Sequence, residues 1–144
     1  MEAAMGASLL TILAATVAAW IFGSIWYGSL AKPWMAAAGI TDEMMQENSS
    51  RPALVKASPF IISFVLEFVM AYMLAVLLMH TAPDGFSFGG ALMAAFFLWL
   101  GFIATTMTIN HRYHFQRWSL TLIDGGHWFG VMLVMAAVMY LIGL

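Results

Sequence analysis

The chain contains no cysteine, which excludes disulfides, thiolate metal sites and a cysteine nucleophile. Charge is almost as scarce. Asp, Glu, Lys and Arg make up 8% of the 144 residues, against about 25% in ordinary soluble domains. That is too little to solvate a globular surface. The formal net charge of −2, with five Lys and Arg in all, lacks the clustered basic footprint of a nucleic-acid binder, so no nucleic-acid partner is expected. There is no G-x-S-x-G and no serine whose neighbours suggest a base. Gly89-Gly90 and Gly125-Gly126 are isolated pairs, not a phosphate-cradling loop. These absences leave no basis for an enzyme, and no cofactor is expected.

What the chain does have is apolar length. Hydrophobic residues make up 63% of it and mean hydropathy is +0.91, so the lipid bilayer must be the solvent for most of the surface. Thirteen Met and 15% aromatic residues read as packing and lipid-facing side chains. Four apolar runs predict helices at about 7–27, 59–80, 90–110 and 120–144. The expected fold is all-α: one integral membrane domain over 1–144, a four-helix transmembrane bundle with antiparallel neighbouring helices. A long interfacial connector joins helices 1 and 2.

Taken in order, the first run reads as an uncleaved span, since no basic n-region precedes it. Ala15, Ala19 and Gly23 recur every fourth residue, a small-residue stripe that lets another helix approach. Trp26, Tyr27 and Trp34 read as an interfacial belt. In the connector, Thr41 caps a short helix through Asp42, Glu43 and MMQEN, with Met44 and Met45 dipping into the interface. Ser58-Pro59 reads as the cap and first residue of the second helix. Pro83-Asp84-Gly85 marks a turn after it. Gly101, Thr105 and Thr108 share a face of the third helix, which Asn110 ends. In the last helix, Gly126-xxx-Gly130 forms a close-packing pair.

All five basic residues, Lys32, Arg51, Lys56, Arg112 and Arg117, lie in the first and third connectors. The positive-inside rule makes those connectors cytoplasmic and both termini non-cytoplasmic. Arg112 and Arg117 thus read mainly as topology signals, with anionic lipid headgroups as a further partner.

Glu67 is the one charge inside the second run. A carboxylate near the bilayer centre costs roughly 2.5–3.5 kcal/mol on insertion scales, so it should face protein or water. Ser63, Glu67, Ala71 and Ala75 repeat every fourth residue, which puts Glu67 on the small, helix-facing side. At 1.5 Å per residue, Glu67 and His127 both lie roughly 12 Å from the cytoplasmic edge. Asp124 is a turn nearer it, and Thr105, Thr108 and Ser24 pass through similar levels. One polar pocket built from all four helices is the expectation.

Three readings of that cluster stand side by side. In the first, Glu67 bonds His127 and Thr105 satisfies the remainder, fixing helix register. In the second, the Glu–His pair relays protons or gates a ligand. The third is metal, since Asp124-x-x-His127 shares a helix face; but the inner carboxylates are too few, and no metal is expected. His111 and His114 also have helical spacing, yet read as exposed interfacial histidines.

Two blocks carry a resemblance. Gly23-Ser-Ile-Trp-Tyr-Gly-Ser-Leu-Ala-Lys-Pro-Trp-Met35, followed by Gly39-Ile-Thr41, is similar to the first loop of the DUF1761 family of small bacterial membrane proteins. Asn110 to Gly126, with Phe115, Arg117 and Ile123-Asp124-Gly125, followed by His127, resembles that family's second block. The resemblance implies a four-helix integral membrane protein, expected in a bacterial inner membrane, and carries over no catalytic role. It draws attention to Trp26, Tyr27, Gly28, Lys32, Trp34, Asn110 and Arg117 as a cytoplasmic-side motif. Two functions are expected from the whole. One is a proton- or solute-handling transporter or channel-like homo-oligomer with its polar site at Glu67 and His127. The alternative is a non-catalytic accessory or structural subunit of a larger membrane complex.

Overall fold

The computed structural model describes residues 8–82 and 84–144, and among them every regular element is helical. The chain order is α1 (Leu9–Ser29), α2 (Ala31–Ala38), α3 (Asp42–Ser49), α4 (Ala53–Thr81) and α5 (Phe88–Leu98). A π-helical segment, Trp99–Ala104, then runs into α6 (Thr105–Tyr113), and α7 (Trp118–Ile142) closes the chain. Four stretches are long and apolar enough to cross a membrane: Leu9–Ser29, Ala53–Thr81, Phe88–Tyr113 and Trp118–Ile142. The expected start of the first helix at Ala7 lies outside the described residues.

Local chemistry explains the helix ends. Only Leu30 separates α1 from α2, so Trp34 stands on a helix rather than in a loop. α2 stops at Gly39, whose φ of +71° is left-handed, a conformation that costs glycine no steric penalty. Thr41 caps α3 by accepting the Met44 N–H at 3.3 Å, with Asp42 and Glu43 in the first turn.

The second long helix departs from expectation. It begins at Ala53, with Pro52 at the N-cap, and Pro59 lies inside it rather than at its start. Pro59 has no N–H to give the carbonyl four residues back, that of Val55. The Ser58 hydroxyl donates to that same carbonyl at 2.8 Å, so the proline is tolerated. Ser58 thus patches a helix that the sequence pattern has it starting.

The Gly85 N–H closes the next turn on the Ala82 carbonyl at 3.0 Å, with φ +103° at Gly85; Pro83 is outside the described residues. Ser87 caps α5 by accepting the Gly90 N–H at 3.0 Å. The third long helix continues past Asn110 to Tyr113. It ends with Gln116 N–H on the His111 carbonyl at 2.9 Å and Phe115 N–H on that of Arg112 at 3.2 Å. That arrangement needs a left-handed residue, and Phe115 supplies it at φ +56° where glycine is usual.

Packing centres on α7. Its Val131, Met132, Met135, Ala136 and Met139 are buried against Ile12, Ala15 and Ala19 of α1 and the Ala71–Leu78 stretch of α4. Ala91 and Ala95 of α5 complete the cluster. The small stripe of α1 is buried throughout, Gly23 included. A Cβ at Gly126 would stand 2.9 Å from the Trp26 ring, and one at Gly130 would overlap the Phe22 ring. Both α7 glycines are therefore seats for α1 aromatic rings. Between apolar helices this close fit, rather than the hydrophobic effect, provides the attraction in lipid.

Candidate functional site

A cavity of about 590 Å³ opens between α1, α2, α4 and α7. The face of α1 that carries Trp20, Gly23, Ser24 and Tyr27 forms one wall, and Trp34 of α2 extends it. From α4 come Phe60, Ser63 and Glu67; from α7 come His127 and Trp128. Glu67 and His127 are 3% and 4% exposed, so both are buried in spite of their polarity. Among the described residues, Glu67 Oε2 and His127 Nδ1 have no hydrogen-bond partner.

The Glu67–His127 hydrogen bond that a purely structural cluster requires is therefore not formed. The imidazole is held on the α1 side instead. Its ring centre lies 4.6 Å from that of Tyr27 and 4.7 Å from that of Trp128. A Cβ at Gly23 would come within 2.7 Å of His127 Nε2, so only glycine leaves this ring its place. Unpartnered polar atoms at such burial are rare in proteins and call for an explanation.

The third long helix does not reach the cavity. Thr105 is exposed and its hydroxyl donates to the Gly101 carbonyl at 2.8 Å; Thr108 is half-buried, and neither lines the space. Two physical reasons separate them from Glu67. The third helix packs chiefly on α7. In addition, each extra residue wound into a π turn rotates everything after it by roughly 100°, and the Trp99–Ala104 segment lies immediately before Thr105. Ser24 does line the cavity, but its hydroxyl donates to the Trp20 carbonyl at 3.0 Å.

Asp124 is also outside the cavity and organises a second site one turn away. Its Oδ1 accepts from Tyr27 Oη at 2.8 Å and from Trp34 Nε1 at 3.1 Å. His111 Nε2 stands 3.9 Å from Oδ2. Trp26 Nε1 donates to the Ile123 carbonyl at 3.1 Å and Trp99 Nε1 to that of Gly125 at 2.9 Å. Three tryptophans from three different elements thus hold three consecutive residues, Ile123, Asp124 and Gly125. The residues read as an interfacial belt point inward, because their N–H and O–H groups find acceptors on α7.

His111 needs correction as well. It is not an exposed interfacial side chain: it is 17% exposed, and its Nδ1 lies 2.9 Å from Thr121 Oγ1. Arg112 donates to the same hydroxyl at 2.7 Å while its guanidinium carbon sits 3.8 Å over the Trp118 ring. His114 is exposed. Of the remaining motif residues, Gly28 borders the cavity, while Lys32, Asn110 and Arg117 are exposed. Among the described residues, no three His, Asp or Glu side chains converge to hold a metal.

Several cavity residues were not singled out by sequence, among them Trp20, Phe60 and Trp128. A usable signal exists for α1: Trp20, Gly23, Ser24 and Tyr27 are spaced i, i+3, i+4 and i+7, one face of a helix. Trp128 has none, being adjacent to His127 and so nearly a third of a turn away from it.

The two sequence blocks set apart above meet here, the first supplying Trp26, Tyr27 and Trp34 and the second Ile123, Asp124 and His127. A family model described as a protein of unknown function, DUF1761, matches residues 10–140. No curated protein and no solved structure matches the chain.

Proposed function

Because the chain belongs to the DUF1761 family, whose description assigns no function, we propose from the site itself that the protein handles a proton or small solute in a membrane. The observation that carries this reading is the pair of buried, unpartnered groups, Glu67 Oε2 and His127 Nδ1, beside a cavity of about 590 Å³. An ionisable residue within a span is costly and is retained where it faces a pathway or a partner. Neither group here stabilises the other by a hydrogen bond, which favours a working role over a structural one.

The surrounding architecture in this reading is a four-helix bundle with antiparallel neighbours in a bacterial inner membrane, with the 30–52 connector along the cytoplasmic surface and both termini outside. The distribution of Lys32, Arg51, Lys56, Arg112 and Arg117 supports that orientation. Ile61, Ile62, Val65, Leu66 and Val69 of α4 are exposed, as suits side chains facing lipid.

The test is flux in liposomes reconstituted with the whole chain. Glu67→Gln should abolish a pH-driven proton or solute flux while leaving helicity and gel-filtration profile unchanged; an unchanged flux would sink the reading.

One observation favours a second role, as a non-catalytic accessory or structural subunit of a larger membrane complex. The Phe88–Tyr113 stretch has only 6% of its apolar window buried within the chain. Mass determination in mild detergent separates the possibilities, since an accessory subunit should co-purify with a larger assembly and tolerate Glu67→Gln.

A further inference from the structure

We propose that the cavity takes an organic monocation, an alkylammonium or quaternary ammonium group, with the Glu67 carboxylate as its counter-charge and aromatic rings as its walls. This deepens the solute-handling reading and rests on it.

Three features of the lining point to a cation. The first is its charge. Among the described residues, twelve line the cavity; none of these is Lys or Arg, and the only carboxylate among them is that of Glu67. That carboxylate is 3% exposed and its Oε2 has no partner among the described residues. An ionised carboxylate at such burial needs a counter-charge, which a bound cation supplies; a bound anion would lie beside that carboxylate with no Lys or Arg to meet, only the His127 imidazole.

The second is the walls. Trp20, Tyr27, Trp34, Phe60 and Trp128 all border the space. Tyr27 and Trp34 meet at 69° with ring centres 5.5 Å apart, which makes a corner rather than a flat stack. Aromatic rings set at angles around a carboxylate suit a cation bearing alkyl groups. They attract its charge through their quadrupoles and cover its hydrocarbon surface.

The third feature is where the polar ends of those rings go. Trp20 Nε1 is spent on Ser63 Oγ at 3.2 Å, and Tyr27 Oη and Trp34 Nε1 are both spent on Asp124. These three donors, which would otherwise serve an anionic or strongly hydrogen-bonding ligand, are thus already engaged. What these three side chains leave for the cavity is mainly ring surface.

The test uses the purified whole chain and three probes of similar shape: benzyltrimethylammonium, its neutral isostere neopentylbenzene, and benzenesulfonate. Calorimetry and tryptophan quenching read saturable binding. The cation should bind about tenfold or more tighter than either other probe, and Glu67→Gln should weaken it by a similar factor. Phe60→Leu, at a ring that is 62% exposed and therefore safe for folding, should weaken it several-fold, and Phe60→Trp should restore it.

Equal binding of the neutral or anionic probe overturns the cation assignment. So does indifference of the cation to both Glu67→Gln and Phe60→Leu. If Glu67-dependent flux persists in either case, the broader solute-handling reading survives. Selective cation binding together with a flux indifferent to Glu67→Gln would instead support the ligand class and remove the transport reading.

Discussion

Tyr27 Oη and Asp124 Oδ1 are 2.8 Å apart although 97 positions separate them in the chain. The bond ties the C-terminal end of α1 to the second turn of α7, and Trp34 Nε1 shares the same oxygen from α2. Asp124 is thus a latch for three elements. Tyr27→Phe removes one donor but leaves Trp34 in place, and should cost about 1–2 kcal/mol. Asp124→Ala should cost more, since it strands both donors. In the Asp124→Ala background, Tyr27→Phe should cost nearly nothing. Thermal unfolding in detergent around this double-mutant cycle checks the coupling; equal cost of Tyr27→Phe in both backgrounds contradicts it.

The α1–α7 contact depends on two missing methyl groups. Gly130→Ala must displace the Phe22 ring and Gly126→Ala the Trp26 ring. Overpacking of this kind costs about 1–3 kcal/mol. Gly89→Ala, with nothing within 4 Å of the added carbon, is the matched control and should be neutral or slightly stabilising. Melting temperatures of the three variants in the same detergent separate close packing from a general effect of losing glycine.

Topology can be tested without a background correction, because the chain has no native cysteine. Ser49→Cys on α3 and Asp84→Cys in the second connector both place a thiol at an exposed position. A membrane-impermeant maleimide should label the first only from the cytoplasmic side and the second only from the opposite side. Labelling of both from one side would overturn the orientation assigned from the basic residues.

The long helices were legible because a bilayer-length apolar run leaves few alternatives, and the inward face of α4 was legible from its four-residue repeat. Glu67, Ala71 and Ala75 are indeed buried. The start of α4 was not, since Ser58-Pro59 carries a strong capping signal and only the three-dimensional course reveals Ser58 donating to Val55. Thr105 and Thr108 were misplaced for a different reason. Counting residues gives depth, but neither the rotation introduced by a π turn nor the choice of neighbouring helix. His111 was misjudged because its partners, Thr121 and Asp124, lie on the next helix. The Trp26–Tyr27 pair and Trp34 were conspicuous in sequence, yet aromatic residues at a helix end read equally as belt or as latch. Only the acceptors on α7 decide between those.

Transport or cation binding at Glu67 requires that this residue face a ligand-accessible cavity rather than lipid or a sealed core. Ser63, one turn away on α4, borders the same space, whereas Val69 points outward with 49% exposure. The most direct measurement is the reaction of Ser63→Cys and Val69→Cys, in intact membranes, with a membrane-impermeant trimethylammonium methanethiosulfonate. Labelling is expected at position 63 and none at 69, where lipid excludes the charged reagent. A position 63 thiol that stays unreactive while the protein is folded would contradict it.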